Sequence, residues 1–212
     1  MSETAAQRGR PRDSDVDKRV LDAAWDLLDT VGYAGLHVDE VAERAGAAKT
    51  TVYRRWPTKD HLAAALAVRI LADVPIEDTG DVRHDLTRFA TTLAVNLNRL
   101  RLVGHGPGDE ASAGLAAEIV AALARHADLG DMARPLFARR HELVLARLAS
   151  AREREGLRAD LDPQILVDQI AGPLYYRVLI TGAPVGRGYA EHLVSAVLDG
   201  AFTGAAPPGE EG

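Results

Sequence analysis

Between residues 38 and 62 the apolar positions outline two short helices. Val38, Val41, Ala42 and Ala45 fall at i, i+3, i+4 and i+7, which puts one apolar stripe on a helix facing a core. Gly46 follows as a left-handed stop. After a turn at Gly46 and Ala47, a second helix is predicted over residues 48–56, ending where Pro57 bars the preceding residue from helical geometry. At about 100° per residue, Ala48, Val52 and Trp56 share one sector, whereas Thr50 and Arg54 point almost opposite, flanked by Thr51 and Tyr53. The pattern is a pair of short helices joined by a tight glycine turn.

Upstream, a helix starting near Ser14 or Asp15 carries Val16, Val20, Ala24, Leu27, Leu28 and Val31 on one side and ends at Gly32 and Gly35. It should cover the pair. Beyond Leu62 the helical period continues through Leu66 and Ile70 to a break at Val74-Pro75, then resumes over residues 81–103 with Leu86, Phe89, Leu93 and Leu97 as its stripe. Further helices are expected over 109–126 and 134–155, the latter closed by Gly156. Asp162-Pro163, a cap followed by proline at the first helical position, opens a helix over 163–180 that Pro173 should kink. The last helix, over 189–201, places Tyr189, Leu193, Ala196, Val197, Gly200 and Ala201 on one side. Useful strand alternation is missing, so the expected fold is all-α with about nine helices. It divides into a basic arm (1–12), a three-helix head (13–62), a larger helical domain (63–204) and a tail (205–212).

Charge sharpens this reading. The 212-residue chain carries a formal net charge of −6. From Arg44 to Lys59, however, there are five basic residues, Arg44, Lys49, Arg54, Arg55 and Lys59, and no acidic ones. Phosphate binding needs cations gathered where the nucleic-acid backbone runs, and an acidic remainder leaves one face able to dock. Arg44, at the end of the first helix, suits the carbonyl ends there and reads as solvated. Arg152-Glu153-Arg154-Glu155 reads as a solvated alternating run with little effect beyond solubility.

The chain has no cysteine, which removes disulfides, Cys-based zinc sites and thiol sensing. Its seven histidines lack the i, i+4 pair that a helix-borne zinc site needs, and no nucleophile elbow, phosphate loop or dinucleotide fingerprint occurs. No catalytic residue, metal site or cofactor is therefore assigned, and an enzyme is not expected. With no run of eighteen apolar residues and no apolar stretch after the N-terminal arginines, neither a membrane span nor a signal peptide is expected, and the location should be cytoplasmic.

The linked run of Val41-Ala42, Ala45-Gly46, Thr51-Val52-Tyr53, Trp56, Lys59 and Leu62 resembles the DNA-binding half of the TetR family of bacterial transcriptional regulators. The resemblance implies that the second helix of the motif enters the major groove, with Lys49, Thr50, Thr51, Tyr53, Arg54 and Arg55 at the DNA and Lys59 on a phosphate. Base edges are read by short or bidentate groups, and phosphates by any donor. Arg54 is thus the first choice for a guanine, Thr50 can touch a thymine methyl, and Thr51 and Tyr53 suit phosphate. Arg55 leans toward the core side and should reach the backbone sideways. Thr58 reads as the N-cap of the following helix, whose positive end would join Lys59 at the phosphates. Where the family usually has Thr or Ser, this chain has His37, a poor cap. Arg8-Gly9-Arg10-Pro11-Arg12 resembles the core of an AT-hook, in which Arg8 and Arg10 would lie in a minor groove; a basic tail of nonspecific attraction is the equal alternative.

Residues 171–200 also resemble the end of a TetR-family subgroup whose last two helices pair with a second subunit as a four-helix bundle. That implies a homodimer interface within 163–201, including Tyr176, Tyr189, Leu193, Ala196 and Val197. Two reading heads related by a twofold axis would meet a palindromic operator on double-stranded DNA, with recognition helices about 34–36 Å apart or a multiple of that. Candidates for lining an effector pocket are Phe89, Leu93, Leu97, Phe137, His141, Tyr175 and Tyr176, which supply aromatic or apolar surface with a few polar tips, although for any single one of them core packing is the favoured reading. Two functions remain: a repressor released by an unidentified small molecule, and an effector-independent structural DNA-binding protein.

Overall fold

Gly46 sits at φ +60°, a conformation that L side chains rarely adopt, and there the chain turns between α2 (Val38–Arg44) and α3 (Lys49–Arg55). Val38, Val41, Ala42 and Ala45 are buried as their spacing requires, and so are Val52 and Trp56 on the second helix. Ala48 departs from the expected stripe: it is the extended N-cap of α3 and is exposed, so the buried apolar side chains of α3 are Val52 and the capping Trp56. His37 caps α2 with backbone only, its side chain making no cap hydrogen bond. Over both helices lies α1 (Asp13–Val31), with Val20, Ala24, Leu27 and Leu28 buried.

The computed structural model describes residues 13–72, 74–104 and 114–200. The arm with Arg8 and Arg10, residues 105–113, where the helix expected over 109–126 was to begin, and the tail lie outside them. Among the described residues every regular element is helical. After the head come α4 (Lys59–Ala72), α5 (Val82–Leu102), α6 (Gly114–Arg125), α7 (Leu129–Arg154), α8 (Pro163–Tyr175) and α9 (Arg187–Asp199). Asp81 caps α5 by accepting from the His84 amide, and Asp162 caps α8 by accepting from the Gln164 amide at 2.8 Å.

Two helices depart from their sequence expectations. α7 begins at Leu129, five residues before the expected start, and runs through Pro135. Burial of Leu129, with Met132 packed partly beside it, draws the extra turn into the helix; the Asp128 carbonyl accepts from the Asp131 and Met132 amides. Just past Pro173, α8 widens into a π-helical turn over Tyr176–Ile180.

α4 is the shared strut, packed on α1 of the head and on α6 and α7 of the body. The core therefore runs unbroken from Val20 in α1 to Leu198 in α9. A second tie forms where Gly104, at φ +95°, offers its carbonyl to the Tyr33 amide at 2.9 Å. A Cβ there would lie 3.1 Å from the Leu115 nitrogen, so glycine lets the end of α5 approach both α6 and the head. Among the described residues no helix is long and apolar enough to cross a membrane.

Candidate functional site

With Val52 and Trp56 buried, α3 necessarily turns Lys49, Thr50, Tyr53 and Arg54 outward; all four are exposed, and Thr51 is half-buried. Arg54 makes no hydrogen bond or ion pair with the described residues, so its five donors stay available to a base edge. Lys49 is already engaged, its Nζ lying 2.7 Å from the Asp39 carboxylate of α2. The Tyr53 hydroxyl bonds the same carboxylate. Both donors hold Asp39 below the ordinary carboxylate range, and Asp39 in turn pushes Lys49 and Tyr53 up. The sequence reading missed Asp39 because its role depends on how α2 packs against α3. A phosphate docking here must displace this carboxylate or share its donors. Asp39→Ala is accordingly expected to tighten binding to any duplex at low salt and to steepen the salt dependence by about one unit of slope, checked by fluorescence anisotropy over a salt series.

Arg55 turns the other way. It forms an ion pair with Asp17 of α1 and is mostly buried, so it fastens the recognition helix to its covering helix. The guanidinium expected at a phosphate is thus engaged by an acid lying 38 residues earlier in the chain.

At the start of α4, Thr58 acts as the cap: its Oγ1 accepts from the His61 amide at 3.4 Å and lies 2.8 Å from His61 Nδ1. Lys59 donates to the Tyr33 carbonyl at 3.2 Å, and its ammonium sits 4.4 Å from the centre of the Tyr33 ring. This fixes the ammonium beside the positive end of α4. Asp60, next in line, is buried and receives the Tyr33 hydroxyl from the head together with Arg125 Nε and His126 Nε2 from the body, the latter two at 3.0 Å. Burial alone would push the Asp60 carboxyl up, but Arg125 and Tyr33 outweigh it and hold the group low. His61 reaches Asp128 at 3.0 Å, which completes a polar clamp between head and body. The ligand-capable atoms of His61, His126 and Asp128 lie within 4.8 Å of one another, a grouping of α4 with the α6–α7 connection that local histidine spacing could not reveal. Each of the three is held by hydrogen bonds inside the clamp.

Within the body, a cavity of about 390 Å³ opens between α5, α7 and α8, and Phe89, Phe137, His141 and Tyr175 are among its walls. Arg140 and Asp168 also line it. A neighbouring apolar cavity of about 220 Å³ shares Phe137 and Tyr175 and abuts α4 through Ala64, Ala67, Val68 and Leu71. Leu93 and Leu97 line neither; both are fully buried in the core, on the face of α5 that packs inward. Tyr176 lines neither and is 61% exposed, because it lies one step beyond Tyr175 and faces out. Arg140, missed in the sequence, carries the polar chemistry here; an arginine one position from a candidate histidine gave no signal that it would be buried.

Residues 20–66 match the family model described as bacterial regulatory proteins, tetR family, and residues 76–197 match the tetracyclin repressor-like C-terminal domain. The chain belongs to the TetR family of bacterial transcriptional regulators. It is similar to the HTH-type transcriptional regulator YdeS of Bacillus subtilis, 32% identical over 203 residues that cover 92% of this chain and 94% of that protein. The HTH-type transcriptional regulator AqdR of Rhodococcus erythropolis is 40% identical over 92 residues, 43% of this chain and 44% of its own length. Among solved structures, the TetR family transcription regulator SCO0332 superposes with a TM-score of 0.65 at 36% identity, covering 88% of this chain and 98% of that one.

In this TetR-family frame, both cavities fall within the C-terminal domain apart from the α4 residues that wall the second. The final helix of that domain has two apolar faces. Ala190, Val194 and Leu198 are buried against the body, whereas Tyr189 and Ala196 are exposed and Leu193 and Val197 half-buried. The stripe read in the sequence is the outer one. On α8 and the π-helical turn after it, Ile165, Tyr176 and Ile180 are also exposed, by 55%, 61% and 65%.

Proposed function

We propose that this TetR-family regulator is a homodimeric repressor that binds a palindromic operator and is released when a small molecule occupies the cavity in its C-terminal domain. The observation that carries the proposal is the strut α4, which begins beside the recognition helix with Lys59 and the Asp60 clamp and ends at Leu71 in the wall of the second, apolar cavity. A ligand filling the second cavity presses on the helix that sets where the head sits, one in the first is linked to it through the Arg140 bond to the Leu71 carbonyl, and regulation requires that the ligand prefer one head position over the other. The cavities favour this reading over an effector-independent DNA-packing protein, whose second domain needs no such volume. The exposed apolar faces of α8 and α9 supply the subunit contact, and the twofold axis supplies the operator symmetry.

The test is direct binding to DNA from the neighbourhood of the protein's own gene. Arg54→Ala is expected to weaken the matched operator by about 1–3 kcal/mol and to relax preference at one base pair, whereas Lys59→Ala should weaken matched and scrambled duplexes alike and lower the salt slope by about one. Equal losses on both duplexes for Arg54→Ala would remove that residue from base reading. Failure of the wild type to bind any such fragment at low salt would remove the proposal.

A further inference from the structure

Arg140 is 8% exposed, yet no carboxylate of the described residues lies within ion-pair distance of it. Its guanidinium donates instead to two neutral oxygens, the Leu71 carbonyl at 3.3 Å and the Tyr175 hydroxyl at 2.6 Å. The rings of Phe137 and Tyr175 stand 5.2 and 5.9 Å from it. Buried charges are ordinarily paired, because neutral partners and ring faces recover only part of the lost hydration. The body's other buried arginine, Arg147, obeys the rule with Asp85 at 2.6 Å and Glu155 at 2.7 Å. Arg140 differs in lining a cavity, and the cavity's own acid, Asp168, is exposed at its edge. Beside the cation, Phe137 is 41% exposed and forms, with Tyr175, the wall shared with the second, wholly apolar compartment.

The geometry points to an organic monocarboxylate with an apolar body as the ligand of this cavity: the carboxylate pairs with Arg140, and the apolar body passes Phe137 and Tyr175 into the compartment against α4. This inference rests on the effector reading above and adds the chemical class. It accounts for the unpaired buried cation and for the exposed phenylalanine next to it, and Asp168 at the edge adds that the ligand carries a single acid group. Pairing with a carboxylate also competes with the bond from Arg140 to Leu71, near the C-terminal end of α4, so occupancy by an acid is felt by the strut in a way that occupancy by a neutral molecule is not.

The test compares decanoate and 4-phenylbutyrate with decanol and 4-phenylbutanol, using isothermal calorimetry and thermal shift on the full chain without DNA. At least one acid is expected to bind about tenfold or more tightly than its alcohol, with Arg140→Gln abolishing the difference and Arg140→Lys keeping part of it. Equal affinity of acid and alcohol, a preference for acid that survives in Arg140→Gln, or no binding by either acid overturns the inference. Should Arg140→Gln fail to fold, the wild-type ratio of acid to alcohol decides alone. Operator release is measured separately: an acid that binds at Arg140 without releasing DNA leaves the ligand class standing and removes the effector reading, whereas release by neutral molecules alone does the reverse.

Discussion

Leu193→Glu is expected to convert the protein to monomers and to weaken operator binding about a thousandfold or more, from the range of specific complexes toward that of nonspecific ones. Leu193 lies half-buried on the outer side of α9, between exposed Tyr189 and Ala196, while the inner side is held by Ala190, Val194 and Leu198. A glutamate there leaves the inner packing untouched. In a twofold interface it faces the same apolar surface on the partner, and often its own copy, so two carboxylates lose water without gaining a counter-charge. With one head per molecule, half of the operator contacts and the fixed spacing between half-sites disappear together. Sedimentation velocity reads the oligomeric state and a gel shift reads the DNA. A dimer that persists in the variant places the subunit contact elsewhere, and helical circular dichroism equal to the wild type excludes unfolding as the cause of dissociation.

How legible each part was in the sequence follows from how local its cause is. The α2–α3 turn was readable because Gly46, Pro57 and the spacing of Val38, Val41, Ala42 and Ala45 act within a few residues of themselves. The cap at Asp162 was readable for the same reason. Asp39, Asp17 and Asp60 were not, since each works on a side chain from another element: Lys49 with Tyr53, Arg55, and Arg125 with His126 and Tyr33. An acid near a basic motif reads as dilution of charge in one dimension and as a clamp in three. The cavity followed the same logic. Aromatic candidates at Phe89, Phe137 and Tyr175 fell on its walls because bulky rings leave gaps between crossing helices, but periodicity gave Leu93, Leu97 and Tyr176 the same standing, and only packing separates a wall from a core or a surface.

Arg147→Met is expected to destabilise the fold by about 3–5 kcal/mol at neutral pH, the largest stability loss expected of any single polar group in the body. Arg147 is buried in α7 and pairs with Asp85 of α5, which is fully buried, and with Glu155, while Asp78 lies 3.5 Å away at the edge. Thr79 donates to Asp85 from both its amide and its hydroxyl, and Glu155 accepts from the Val82 amide at 2.6 Å, so one guanidinium gathers the α4–α5 connection, the start of α5 and the end of α7. The run at residues 152–155 is therefore more than a solvated stretch: Glu155 closes this network, Arg154 holds Asp78, and Arg152 donates to the Leu161 carbonyl. Methionine replaces the stem but leaves the Asp85 charge buried with only Thr79 to hold it. The pH dependence identifies the cause. Burial would push the Asp85 carboxyl up from its ordinary value near 3.8, yet Thr79 and Arg147 outweigh it and hold the group low. A carboxyl lowered by folding stabilises the protein above its unfolded value and loses that contribution as the pH falls through the folded one. Without Arg147 the Asp85 carboxyl rises instead, and protonation relieves the variant. Urea denaturation should therefore find the gap between wild type and variant widest at neutral pH and narrowing already above about pH 4, as the pH falls through the raised Asp85 value of the variant; a gap constant down to pH 3 would assign the loss to packing of the arginine stem instead of to its charge.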